Sequence, residues 1–374
     1  MVKATPAEAT ANQATTATTA TEARPQKAPP SSLRKDDTVA SACARLLEDC
    51  RWQIRSNEAP ALVGTDPEGV HQLRVGVRRL RALLNTFSEV IASEPYEWLR
   101  TELRWLQQAL GPARDADVFL HETLPPIREW VGPHISLEPI AAAAHDYQRH
   151  AYSQAHAALR GERYRTLMTR LETLPDDSFW RAEPHDPRLQ PIAPFAVKQL
   201  KGRRRKLRKL GRRSAELNDQ QLHELRIRGK KLRYAVEFFA PLFRRQATGR
   251  YLKEVKALQD CLGVYNDAAV GRQLVWELQQ QALQPGPHQG VDSATSGQAA
   301  EGAAAGVKSA PSKGARRRRS PAQPAPEMLA CAGGIVIGWQ AAQAEIQLRH
   351  FTEVWQRLEQ SAVFWKDKSL SVRA

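Results

Sequence analysis

Cysteine is scarce in this sequence, and its placement excludes the chemistry it usually announces. Cys43, Cys50, Cys261 and Cys331 form no CxxC pair and no cluster with histidine. A zinc site or disulfide framework is therefore not expected, and all four read as buried thiols of a reducing compartment. Long apolar runs are missing too. The longest, Met328 to Trp339, is too short to cross a bilayer as a helix. The stretch from Met1 to about Lys35, rich in Ala and Thr, has no apolar core of the kind a secretory signal requires. No membrane partner is expected, and the chain reads as cytoplasmic. Also lacking are a Gly-rich phosphate loop, a Ser/His/Asp set, paired carboxylates and an ExExK pattern. Hard cations need carboxylate clusters, so no metal, no cofactor and no catalytic residue is expected.

What is abundant is positive charge. Lys and Arg number 55 against 40 Asp and Glu, a formal net charge of +15 in 374 residues. Such an imbalance says little about fold, but it favours polyanionic partners. The apolar fraction of 42% is ordinary for a folded protein, and apolar residues recur at three- and four-residue spacing with no long alternating β-branched runs. The chain is therefore expected to be all-α. Four stretches lack that periodicity: a tail over 1–35, a connector over 176–190, a Gly/Ala/Ser/Pro-rich insertion over 285–326 carrying Arg316–Arg319, and residues 367–374. They are expected to be disordered or loop-like, since they bury too little apolar area to offset ordering entropy. Two folded regions remain, 36–175 and 191–366.

These two regions carry the same pattern. VHQLRVGVRRLRALLNTF at Val70–Phe87 recurs as LHELRIRGKKLRYAVEFF at Leu222–Phe239, and LQQALGPARDADV at Leu106–Val118 recurs as LQDCLGVYNDAAV at Leu258–Val270. Both blocks repeat at an offset of 152 residues, so nothing is inserted between them. A weaker match of Tyr164 and Arg170 with Phe351 and Arg357 is displaced further, by the length an inserted loop would add. A duplication of roughly four to six helices per half follows, enough for an antiparallel bundle in each.

On a helix, His71, Arg74, Arg78 and Arg81 fall within an arc of roughly 80°. Leu73, Val77, Leu80, Leu84 and Phe87 occupy a separate apolar face. His223, Arg226, Lys230 and Arg233 repeat the cationic stripe, with Tyr234 and Glu237 beside it. Glu237 is positioned to pair with Arg233 one turn away. A charge run is most often a solvated face. Here Val70–Phe87 contains no acid at all, and like charges at this spacing repel by a few tenths of a kcal/mol per pair. Their recurrence in both halves points to a bound polyanion, with the two histidines as hydrogen-bond donors facing a shared cleft. A second basic run, Lys198–Arg213, includes Arg203 and Lys206; its sparser counterpart in the first half carries Arg51 and Arg55. Arg104 and Lys256 are equivalent positions that would extend a groove. In the LG segments, Gly111 and Gly263 read as left-handed helix stops, with Asp115 and Asp267 as N-caps of the helices that follow.

The doubled H-x-x-R-x-x-x-[RK]-[RK]-x-R pattern, followed by LGPARDADV and LGVYNDAAV, resembles the two signature repeats of the conserved histidine α-helical domain, the CHAD family. The resemblance covers about 36–366. It implies two antiparallel four-helix bundles related by a pseudo-twofold, with a basic groove and pore between them. It also implies binding of inorganic polyphosphate and association with polyphosphate granules and their proteins. Carried over by motif position, the ligand-facing residues are His71, Arg74, Arg78, Arg79 and Arg81 with His223, Arg226, Lys230, Lys231 and Arg233. Nucleic acid is the rival polyanion, although base readout or stacking calls for aromatics or amides among the charges, and only Tyr234 lies on the stripe. A polyphosphate-processing enzyme is the other rival.

Overall fold

The computed structural model describes residues 24–181, 187–213, 216–283 and 325–366. Among the described residues the chain is all-α, with short 3-10 and π turns and two isolated β-bridges, Thr38 to Pro191 and Ile91 to Trp180. Before the connector come α1 (Val39–Ser56), α2 (Glu58–Val63), α3 (Pro67–Phe87), α4 (Ser93–Ala109), α5 (Gly111–Val118), α6 (Leu124–Val131), α7 (Glu138–Arg160) and α8 (Glu162–Thr173). After it come α9 (Ile192–Gly211), α10 (Asp219–Phe239), α11 (Arg245–Leu283) and α12 (Pro326–Gln360).

The repeat helices begin where their sequences supply caps. At α3 the Asp66 carboxylate accepts from the Glu68 amide at 2.8 Å, and Pro67 follows, a residue suited to a first turn because it has no N–H to satisfy. At α10 Asn218 and Gln221 form a reciprocal capping box, each bond 3.0 Å. The apolar face expected for α3 is inside: Leu73, Val77, Leu80, Leu84 and Phe87 are all buried. The matching Leu225 and Leu232 of α10 are buried as well. Helix α3 packs on α1 and α10 on α9, and α3 and α10 also contact one another. Gly76 allows the close crossing with α1, since a Cβ there would sit 2.9 Å from Ile54 Cγ1.

Two apolar clusters hold the molecule together, and both take residues from either side of the connector. The larger runs from Leu33 to Trp365 and includes Phe87, Phe179, Phe238 and Phe239. The smaller joins Phe119, Ile127 and Ile140 to Val275 on α11 and Val336 on α12.

Several expectations need correction. Residues 24–35 of the expected disordered tail pack along the core: the Ser31 hydroxyl donates to the Phe238 carbonyl at 2.8 Å, Ser32 donates to Asp49, and Leu33 is buried. The connector is likewise pinned at its start. Phe179 enters the core, Ala92 N–H donates to the Phe179 carbonyl and Arg181 N–H to the Val90 carbonyl, because the Phe-Trp pair supplies apolar area that its neighbours lack. Residues 1–23, 285–324 (with Arg316–Arg319) and 367–374 lie outside the described residues, as do 182–186 of the connector. Cys43, Cys50 and Cys261 are buried, but Cys331 lies on the outward face of α12.

The first LG segment is a helix stop and start, as expected, since α4 ends at Ala109 and α5 begins at Gly111, but the second is not, and neither uses a left-handed glycine. Gly263 lies inside the unbroken α11, Gly111 is the first residue of α5, and neither has the positive φ a left-handed stop requires. The chain is segmented at α4–α5 because Pro112 has no N–H to donate. The matching residue, Val264, has one, and α11 continues for 39 residues. Asp115 and Asp267 therefore cap nothing.

Candidate functional site

The cationic faces of α3 and α10 meet at one cavity of about 510 Å³. His71, Arg74, Arg78 and Arg81 enter it from α3, and Arg226 and Lys230 from α10. Arg114 and Asp115 come from α5, Asp267 from α11 and Gln340 from α12. Glu122 comes from a π turn, Phe119–Thr123, that joins α5 to α6; such turns re-aim side chains and recur at functional sites.

The donors in this cavity are incompletely satisfied. Arg74 donates from Nη1 to the Gln107 carbonyl at 2.9 Å, and Arg114 pairs with Glu122 at 2.7 Å. Arg226 reaches only to 4.0 Å from Asp267. The Nε groups of Arg78 and Arg226 are buried with no hydrogen-bond partner, a state that costs on the order of 1–3 kcal/mol per group when nothing arrives to accept.

Crowding and burial push the ionisable groups toward their neutral forms. Burial, reinforced by Arg226 and Arg78, pushes the Lys230 ammonium down to about 7. Burial pushes Arg74 down to about 10 despite Asp115 nearby, and lowers Arg226 despite Asp267. The His71 imidazole is also lowered, by burial and then by Arg114, with Arg78 adding to the effect. The Asp115 carboxyl is raised by burial against the opposing pull of Arg74 and Arg114. Each cation thus opposes the others, and an incoming polyanion would relieve all of them at once.

A second cavity of about 310 Å³ adjoins the first and shares Arg78, Arg81 and Lys230 with it. Its other walls come from α4 (Tyr96, Arg100, Arg104) and α10 (Ile227, Lys231, Tyr234). A larger cavity, about 750 Å³, lies against α7, away from these cations. Several of its polar groups are already engaged: Tyr152 donates to Asp117 at 2.9 Å, and His156 Nε2 lies 3.0 Å from the Ala61 carbonyl oxygen. We place the site at the two cavities that share cations because, among the described residues, the buried unpartnered Nε donors of Arg78 and Arg226 lie there and none lines the third cavity.

Of the residues singled out in the sequence, His71, Arg74, Arg78, Arg81, Arg226 and Lys230 come together, and Lys231 and Arg104 line the second cavity. The rest lie elsewhere. Arg79 is a correction: it is buried, donates to Gln53 Oε1 at 2.9 Å and lies over the Phe238 ring, because its helical position turns it toward α1 and the core. Arg233 is engaged by Glu237 at 2.7 Å, the pair expected from the sequence, and by Gln259 at 3.2 Å. His223 is exposed and lines neither cavity, so the expectation of two histidines facing one cleft holds for His71 alone.

The more distant candidates are mostly tied to other groups. Arg51 pairs with Glu48, and Arg55 with Glu58 and Glu172. Arg203 of α9 donates to the Asn85 carbonyl and the Thr86 hydroxyl, fastening α9 to α3. Lys206 and Lys256 are exposed and line neither cavity. Within the basic run, Lys198 pairs with Glu89 and Arg208 with Glu359, so part of that charge joins helices together. Sequence reasoning missed Arg114 and misassigned Asp115 and Asp267. The signal was present in the duplicated Asp of the second block, read there as a cap.

Comparison with known proteins gives a consistent picture. Residues 45–276 match the model of the CHAD domain family. An uncharacterized protein of Mycobacterium tuberculosis, found in two strains, is 30% identical over 258 residues, which is 66% of this chain. The chain spans only 46% of that relative's length. The crystal structure of the CHAD domain from the plant Ricinus communis is similar with a TM-score of 0.62 and 27% identity, covering 89% of this chain and 96% of the plant one. The structure of PptA from Streptomyces chartreusis shares the fold, with a TM-score of 0.57, 16% identity, and coverage of 86% and 100%.

Proposed function

The chain belongs to the CHAD family, a polyphosphate-related family, and from that premise we propose that it binds inorganic polyphosphate without cleaving it, along the cations shared by α3 and α10, and so associates with polyphosphate granules. The observation that carries this reading is the convergence of seven cationic or imidazole side chains from both halves on one cavity, two of them with buried, unpartnered Nε donors. Polyphosphate carries about one charge per phosphate along a flexible chain. Arginine forks suit its oxygens and lysine supplies a point charge. Duplex nucleic acid holds its phosphates on a rigid helix too wide for a cavity of this size, and Phe119, the one Phe, Tyr or Trp lining the first cavity, is 2% exposed and offers no open face to a base.

Four experiments test the proposal. Long-chain polyphosphate binds the wild type with an affinity that falls steeply as salt rises, by the ion release that governs other polyanions, and duplex DNA does not displace it at physiological salt. Arg74→Ala with Arg226→Ala weakens that binding on the order of 100-fold, whereas Arg205→Ala on the exposed side of α9 changes it little. Equal losses from the two would remove the cavity from the reading. End-labelled polyphosphate incubated with the protein and Mg²⁺ keeps its length; shortened chains would make the protein an enzyme. A fluorescent fusion follows polyphosphate granules in the cell, and the double variant does not.

A further inference from the structure

The cavity beside Tyr96 and Tyr234 differs in chemistry from the one beside Asp115 and Asp267. Both draw on Arg78, Arg81 and Lys230, but the second is walled by Ala82, Ile227 and the two tyrosines. A bare phosphate chain gains nothing from such a wall, because its oxygens need donors and water, not apolar surface. Ile227 stays 37% exposed on a helix whose other apolar side chains are mostly covered.

The repeat sharpens the point. Ala82 of α3 and Tyr234 of α10 occupy matching positions, and both line this cavity. Two like residues there would give a symmetric gap between the helices. Instead one half contributes a ring and the other a methyl group, which leaves open space beside the ring. Tyr96 adds a second ring from α4, and its matching residue on α11, Thr248, is buried and donates to the Arg244 carbonyl. Of the two cavities that share cations, the first has only Phe119, which is 2% exposed, and this one therefore carries the tyrosine rings. Its remaining charged lining, Arg100, Arg104 and Lys231, is entirely basic, and the cavity has about the smallest volume common for small-molecule sites.

We propose that this second cavity takes the ring system of a nucleoside polyphosphate, the base lying against Tyr96 and Tyr234 while the phosphates reach Arg78, Arg81 and Lys230. The inference rests on the preceding section in assigning phosphates to those three cations, and it adds a ligand class that the first cavity has no means to select. Base stacking on an aromatic side chain is sequence-tolerant, since every base has a π face. The site would therefore read the presence of a base more than its identity.

The experiment compares two ligands with the same number of phosphates, ATP and tripolyphosphate, by calorimetric titration of the full chain without Mg²⁺. Long-chain polyphosphate is titrated in parallel. ATP is expected to bind at least about fivefold more tightly than tripolyphosphate, with saturation transfer from the protein to the adenine ring protons. Tyr234→Ala, which places the first half's residue on both helices, brings ATP down to the level of tripolyphosphate while tripolyphosphate itself stays within about twofold. Tyr234→Phe keeps the ATP advantage, which a purely structural role for the hydroxyl would not predict. Equal binding of ATP and tripolyphosphate to the wild type, or no transfer to the ring protons, overturns the inference while leaving polyphosphate binding intact. Tight ATP binding with no binding of long-chain polyphosphate supports this inference and overturns the preceding section instead.

Discussion

At position 81, on α3, an arginine faces Arg104 and Arg100, and among the described residues no carboxylate pairs with it. At the matching position 233, on α10, an arginine is held by Glu237 one turn away and by Gln259. The residue that makes the difference is itself a repeat position: Asn85 in the first half, Glu237 in the second. The same divergence recurs along the motif. Arg79 is buried against Gln53 while Lys231 is exposed at a cavity, and His71 lies inside a cavity while His223 faces solvent. A duplicated motif thus supplies a shared set of cations near its centre, Arg74, Arg78, Arg226 and Lys230. At positions 71, 79 and 81 and their counterparts the two copies have been put to different uses. Identity of pattern is not identity of role, because a helix face acquires its role from what packs against it.

Three changes would break or sharpen this contrast. The largest effect is expected at positions 79 and 231. Arg79→Ala leaves Gln53 without its donor and a gap beside Phe238, and should destabilise the fold by about 2–3 kcal/mol. Lys231→Ala should change stability by less than about 0.5 kcal/mol. Thermal and denaturant unfolding would measure both; equal effects would mean that Arg79 is not a core residue in solution.

A smaller effect, in affinity, is expected at positions 81 and 233. Arg81→Ala should weaken polyphosphate binding roughly tenfold, the loss of one charge-assisted contact. Arg233→Ala should cost less than about threefold, because Glu237 already neutralises that guanidinium. Glu237→Asn, which copies the first half, should tighten binding a few fold by freeing Arg233. A titration in which Glu237→Asn has no effect would show that Arg233 points away from the ligand whether or not it is paired.

The smallest effect is a pH dependence at the matching pair Arg78 and Lys230. Lys230 titrates near 7 in the free protein, pushed down by burial and neighbouring cations. A bound polyanion favours the charged form and raises that value, so binding takes up a proton. Affinity is then fully present below about 7 and declines as pH rises toward the ordinary lysine range. Lys230→Arg should flatten the decline between pH 7 and 9, and His71→Asn should trim what remains below 7, where His223→Asn should do nothing. Since charging buried Lys230 also costs folding stability, the ligand-free protein should gain stability over the same rise in pH. An affinity independent of pH would place Lys230 outside the site.

Much of this was legible in the residues. The buried face of α3 was set by its apolar spacing, the duplication by a constant offset, and the Arg233–Glu237 pair by helical proximity. The second LG segment, and the capping roles in both, were misread because glycine followed by a later aspartate is also how helices end and begin; the local signal is the same whether the helix stops or continues. Only Pro112 discriminated, and only in the first half. The tail at 24–35 and the start of the connector were misread because ordering there comes from a few distant partners, Phe238, Asp49 and Val90, that no local composition reveals.

The amino-acid order by itself determined that the chain is helical and carries a repeated motif with a strongly basic face, because periodicity, caps and charge are properties of neighbours three and four residues apart. Which of those cations meet was decided by the tertiary structure alone. Helices α3 and α10 cross at an angle and depth set by their packing on α1 and α9. That geometry turns Arg78 and Lys230 toward each other, buries Arg79 and leaves His223 in water, although nearest neighbours along the chain treat all four alike.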